Sequence, residues 1–156
     1  MAALHGFLFL LDAGGLAGGY EERVLTRLAT LAKNYGVKQI IVESNMGDGM
    51  FSALLRPVLG RIHPCTIEEV RHNIQKERRI IDTLEPVMNQ HRLIVDKSLI
   101  QRDYDSTRDM PPAQGLKYQL FYQMSRLTRE KGSLAHDDRL DALSMAVAFM
   151  AWHLRG

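Results

Sequence analysis

The chain has 156 residues, 46% of them hydrophobic, with a formal charge of +2 and a pI near 8.8. That length buries one substantial core and leaves little for a second, so a single domain over residues 1–156 is expected. The weak charge excludes a global field for nucleic acid and leaves any such affinity to local Arg and Lys clusters. The lone Cys65 excludes an internal disulfide, no signal-like leader stands at the start, and no stretch reaches the ~20 apolar residues that cross a bilayer. A soluble, intracellular protein without membrane partners is the expectation.

Residues 7–11, Phe-Leu-Phe-Leu-Leu, read as a strand between His5-Gly6 and Asp12-Ala-Gly-Gly15, with residues 1–4 as its hairpin partner. From Glu21 to Tyr35, Val24, Leu28, Leu31 and Tyr35 recur at helical spacing, and Gly36 stops the helix. Residues 37–42 are β-rich and end at Glu43, followed by the turn-forming run Ser-Asn-Met-Gly-Asp-Gly49. Met50–Leu59 reads as a short helix stopped near Gly60, and Arg61–Ile67 as a strand that Pro64 places at an edge or in an irregular position. Lys76–Gln90 is helical by pattern, with Pro86 expected to kink or shorten it. Arg92–Val95 is a strand, Ser98–Tyr104 a short helix, and residues 103–115 a mobile loop. An amphipathic helix is expected over residues 116–129, and a final one from His136 to about Leu154 with Leu140, Leu143, Val147, Met150 and Leu154 on one face. There is no internal repeat and no low-complexity tract, and the order of elements points to an α/β or α+β domain.

Two acidic stations stand far apart in this order. Glu43 closes an apolar strand, where functional groups of open α/β sheets gather, and Asp137-Asp138 with Asp141 opens the last helix. Carboxylates at a strand exit and on a first helical turn can meet at one sheet edge and hold hard divalent cations. Asp138 is the favoured ligand; consecutive side chains diverge by about 100° on a helix, so Asp137 is either a second ligand or a helix cap. Asp141 either helps electrostatically or forms a salt bridge. His136 either orients a carboxylate or protonates a leaving oxygen, or simply begins the helix. Asp12 and Asp48 read as turn residues. Basic residues cluster at Arg71, His72, Lys76, Arg78 and Arg79, and again at Lys117, Arg126, Arg129 and Lys131. Such runs are usually solvated faces, but they also suit a phosphate backbone beside an acidic centre. No Walker loop, zinc spacing or Gly-x-Ser-x-Gly elbow occurs.

The segments Phe7–Gly15, Ile41-Val-Glu-Ser-Asn-Met-Gly-Asp-Gly-Met-Phe51, Leu84-Glu-Pro-Val-Met88, Leu120-Phe-Tyr-Gln-Met124 and Thr128–Leu143, with its His-Asp-Asp, resemble the C-terminal nuclease domain of phage large terminase subunits, most closely those of short-tailed phages. The resemblance covers nearly the whole chain. It implies a ribonuclease H-like mixed sheet flanked by helices, and a two-metal-ion endonuclease that cuts concatemeric double-stranded DNA during packaging. Two Mg²⁺ or Mn²⁺ ions would be held by Glu43, Asp137 and Asp138. Double-stranded DNA, the terminase small subunit and the portal would be partners, in the cytoplasm of the bacterial host and outside the mature virion.

Against the family pattern, the first strand with its Asp is lacking, as is the preceding ATPase motor domain, so the chain reads as truncated at its N-terminus. Asp12 aligns with the end of the third strand and does not replace that Asp. Loss of one ligand implies weak or absent cleavage by this chain alone. Alternative readings are a resolvase or transposase-type nuclease on the same fold, and a catalytically silent DNA-binding remnant.

Overall fold

The computed structural model describes residues 1–44 and 49–153 and divides into two compact units, Met1–Gly15 with Ile74–Gly156, and Leu16–Asn73. The expected turn at Asn45–Asp48, Asp48 included, and the end of the last helix at Leu154 lie outside the described residues.

In the first unit, β1 (Ala2–Leu4) and β2 (Phe7–Leu10) form the expected antiparallel hairpin. His5 and Gly6 make its turn with φ of 51° and 82°, the left-handed pair that matches the twist of a two-residue hairpin. On the other side β2 pairs in parallel with β5 (Leu93–Val95), giving a mixed sheet in the order β1-β2-β5. Alternation sends Leu8 and Leu10 inward, where they join Ile80, Leu84 and Val87 of α3 (Lys76–Asn89) and Leu140, Leu143 and Val147 of α7 (Asp138–His153). Around them lie α4 (Lys97–Asp105), α5 (Pro112–Gly115), a 3-10 turn at Leu116–Tyr118 and α6 (Leu120–Arg126). At the far end of α7, Trp152 is 74% exposed.

The second unit contains α1 (Glu22–Asn34), β3 (Gln39–Glu43), α2 (Met50–Ile62) and β4 (Thr66–Val70). β3 and β4 pair in parallel, with Ile40 opposite Ile67 and Glu43 opposite Val70. Ile40, Val42 and Ile67 share one face and pack with Leu25 and Ala29 of α1 and Leu55 and Leu59 of α2. Both units therefore show sheets flanked by helices, the mixed α/β class that the sequence order implied.

Several boundaries differ from expectation. α2 passes through Gly60 because Ile62 still packs on the apolar cluster; it ends at His63, whose N–H donates to the Leu59 carbonyl. Residues 61–62 thus belong to the helix, β4 starts only at Thr66, and Pro64 falls in the connection. Pro86 sits near the end of α3 without breaking it. The expected mobile loop over 103–115 starts inside α4 and ends in α5. The expected helix over 116–129 is a 3-10 turn, an extended Gln119 with ψ of 134°, and α6. The last helix begins at Asp138, two residues later than expected.

In the first turn of α3, the buried Glu77 accepts a hydrogen bond through Oε1 from the Gly132 N–H at 2.9 Å. Gly132 has φ of 75°, which favours glycine. This N–H holds the Glu77 carboxyl below the ordinary glutamate range. A depressed folded-state pKa contributes stability that is full above the unfolded value and is lost as pH falls through the folded one. Glu77→Gln should cost about 1 kcal/mol at neutral pH. It should also flatten the acid-side decline in urea-unfolding free energy; an unchanged decline would show that the contact contributes nothing.

Candidate active site

Glu43 ends β3 in the second unit. Gln39, Ile41 and Glu43 point away from the face that Ile40 and Val42 bury against α1 and α2, so alternation alone carries the carboxylate off the core. Its Oε1 lies 3.3 Å from Nδ1 of His72, two residues beyond β4; the side chains are 26% and 18% exposed. The ladder continues one step further, the Ser44 N–H donating to the Val70 carbonyl at 3.0 Å. Gly49 follows with φ of 83°, and a Cβ there would stand 3.2 Å from Glu69 Oε1, so both conformation and space call for glycine at the head of α2.

Asp137 and Asp138 lie in the first unit, at the head of α7. The Asp137 carbonyl accepts the Asp141 N–H at 2.8 Å, which opens the helix, while its carboxylate Oδ1 takes Lys76 Nζ at 3.1 Å. Asp138 is exposed and engages no described residue through its carboxylate. Asp141 is the salt-bridged acid: buried, it accepts from Arg79 Nη1 at 2.8 Å and has Lys76 Nζ 3.6 Å from its Oδ2. Its role is structural. His136 stacks on Tyr118 with ring centroids 4.1 Å apart, beside an open recess of about 300 Å³ lined also by Gln114, Lys117 and Ala135. Asp12 caps its own turn, Oδ1 accepting the Ala13 N–H at 2.9 Å.

A buried network behind this helix escapes sequence reading. Asp103 of α4, 1% exposed, accepts the N–H groups of Leu120 and Phe121 at 3.0 and 3.1 Å and Arg139 Nη1 at 2.8 Å. It thereby caps α6 from 17 residues away and pins the first turn of α7. Gln123, equally buried, accepts the Leu140 N–H through Oε1 and donates through Nε2 to the Lys117 carbonyl. The signal available was that Asp103 lies four residues after Leu99, on the same helical face as a core position.

The basic residues divide as well. Arg79 is committed to Asp141, and Arg129 to Asp82 and Glu85 at 2.8 and 3.4 Å. Arg126 lies over the Tyr122 ring, while Lys117, Arg78 and Lys131 are exposed.

Among the described residues, no three His, Cys, Asp or Glu side chains gather closely enough to hold a metal ion. The donor class nonetheless fits Mg²⁺ or Mn²⁺, which take hard oxygen ligands and are often held by one or two carboxylates together with water and substrate phosphate. Asp138 offers such a carboxylate with no competing contact among the described residues, and Asp137 stands beside it with its Oδ1 on Lys76.

The family model of the ribonuclease H-like domain of the bacteriophage T7 terminase matches residues 1–93, Glu43 among them. The chain belongs to this terminase family. The large terminase subunit of Enterobacteria phage T3 is 45% identical over 147 residues, 94% of this chain and 25% of the relative. The chain thus spans about a quarter of the length of that relative. Membership sets this ribonuclease H-like terminase segment apart from the resolvase and transposase reading. No helix among the described residues is long and apolar enough to cross a membrane.

Removing the Asp103 carboxylate strands the Arg139 guanidinium, 9% exposed, and uncaps α6. Asp103→Ala should therefore lower the unfolding free energy by about 3 kcal/mol or more. Urea denaturation followed by circular dichroism measures it; a loss below about 1 kcal/mol would mean that the network does not hold the helices.

Proposed function

We propose that the chain belongs to the nuclease domain of a terminase large subunit, which cuts concatemeric double-stranded DNA with divalent metal ions, and that Glu43 in one unit and Asp137 and Asp138 in the other are its metal-ligating carboxylates. Family membership supports the enzyme class. The observation that carries the site is Asp138: an exposed carboxylate without a counter-charge among the described residues, on a helix head fixed by buried hydrogen bonds. An acid in the first helical turn suits the helix dipole by itself, and one left unpaired on a rigid element is also available to a cation.

Two bound Mg²⁺ or Mn²⁺ ions would supply an activated water and charge stabilisation for the leaving 3′ oxygen. The chain's own groups do the rest. His72 restrains the Glu43 carboxylate through Nδ1, and the Asp103 network keeps Asp137 and Asp138 at the first turn of α7. The exposed Lys117 beside His136 offers a cation to a DNA phosphate, a contact that positions the duplex without reading sequence. Asp12, spent on its own turn, is not assigned to the metal set. Glu43 and the Asp137-Asp138 pair are the acidic stations assigned to the metal set. The small subunit, the portal and the host cytoplasm belong to this reading as the setting in which a terminase works.

The test is incubation of the 156-residue chain with supercoiled plasmid and Mn²⁺. Nicking is expected, reduced at least about tenfold by Glu43→Ala and by Asp138→Asn, since even ligand-supporting residues change such sites by that much. Cleavage indifferent to both substitutions would remove these residues from the site. DNA binding at low salt without any Mn²⁺ binding would instead make the chain a silent DNA-binding module.

A further inference from the structure

Lys76 is the first residue of α3, and its ammonium bridges two carboxylates, 3.1 Å from Asp137 Oδ1 and 3.6 Å from Asp141 Oδ2. Arg79, one turn further on, approaches Asp141 from its other oxygen at 2.8 Å. The two cations are held differently. The Arg79 side chain is 11% exposed, whereas that of Lys76 is 40% exposed. A guanidinium is planar and locked by its fork of donors, while an ammonium on a four-carbon stem is a compact point charge that can swing into water.

An ammonium between two carboxylates answers the same need as a hard divalent cation: positive charge against anionic oxygen. The two compete for Asp137, because their like charges repel when both stand against one carboxylate. Asp141 does not depend on the lysine, because Arg79 continues to neutralise it when the lysine leaves.

We propose that Lys76 is a displaceable counter-ion, seated on Asp137 and Asp141 until a divalent cation binds at Asp137 and Asp138 and drives it out. The proposal rests on the metal-dependent reading above. Lys76 then sets the metal affinity of the α7 head by competition, and the released ammonium becomes available to a DNA phosphate. Metal and DNA would strengthen each other's binding through one side chain, as linkage requires.

The sign of one measurement separates a competitor from an ordinary supporting salt bridge. Mn²⁺ binding to the DNA-free chain is followed by the electron paramagnetic resonance of free aqueous Mn²⁺, for wild type, Lys76→Met and Lys76→Arg. Lys76→Met should bind roughly three- to fivefold more tightly, the scale of a partly exposed ion pair, and Lys76→Arg no more tightly than wild type. Equal or weaker binding by Lys76→Met, with wild type binding normally, overturns the role of Lys76 and leaves the metal reading standing. Absence of Mn²⁺ binding in both proteins overturns the metal reading and this inference together. Should Lys76→Met not fold by circular dichroism, Lys76→Gln provides the same uncharged comparison.

Discussion

The Asp103–Arg139 pair is the contact on which the first unit turns. Both side chains are nearly sealed from water, and the carboxylate also takes two backbone N–H groups at the start of α6. Such a pair adds little stability over a well-packed apolar equivalent, but breaking it is severe, because a lone buried charge costs several kcal/mol. Its effect is therefore on arrangement. Only a packing that brings α4, the head of α6 and the first turn of α7 together satisfies every charge and donor at once. Asp138, at the head of α7, is presented to solvent as a consequence.

Three acids occupy little more than one turn there, and their surroundings give them different work. Asp141 faces α3 and is consumed by Arg79; Asp137 opens the helix through its carbonyl while its carboxylate meets Lys76; Asp138 faces outward. Helical geometry makes this division, since residues three or four apart share a face and adjacent ones do not. In the second unit the two-residue period of β3 does the equivalent, burying Val42 against helices and sending Glu43 the other way.

Elements governed by local periodicity were legible: α1, β3, α3 and the hairpin emerged from spacing and turn residues within a few positions. What was not legible depended on partners distant in sequence. Gly60 is a good helix stop by composition, but continued packing of Ile62 carries α2 past it. The break at Gln119 has no strong local cause; it exists because Asp103 supplies the cap for α6. Likewise, Glu43, Asp137 and Asp138 could be put forward as candidate ligands from position and resemblance, whereas Lys76 and Arg79 looked like a solvated basic face. Their pairing with acids 61 and 62 residues away is a property of how α3 crosses α7. Charge balance at a site is a tertiary fact, even when each charge is plain in the sequence.

The indole at the end of α7 has a practical side. It is the chain's only tryptophan, it is already wet in the folded state, and it stands 14 residues, about 21 Å, along α7 from Asp138 at the other end. Its emission should change little when the core melts, so it is a poor thermometer for unfolding. By the same token it is a quiet native fluorophore, ready to brighten and shift to the blue when another surface closes over that tip.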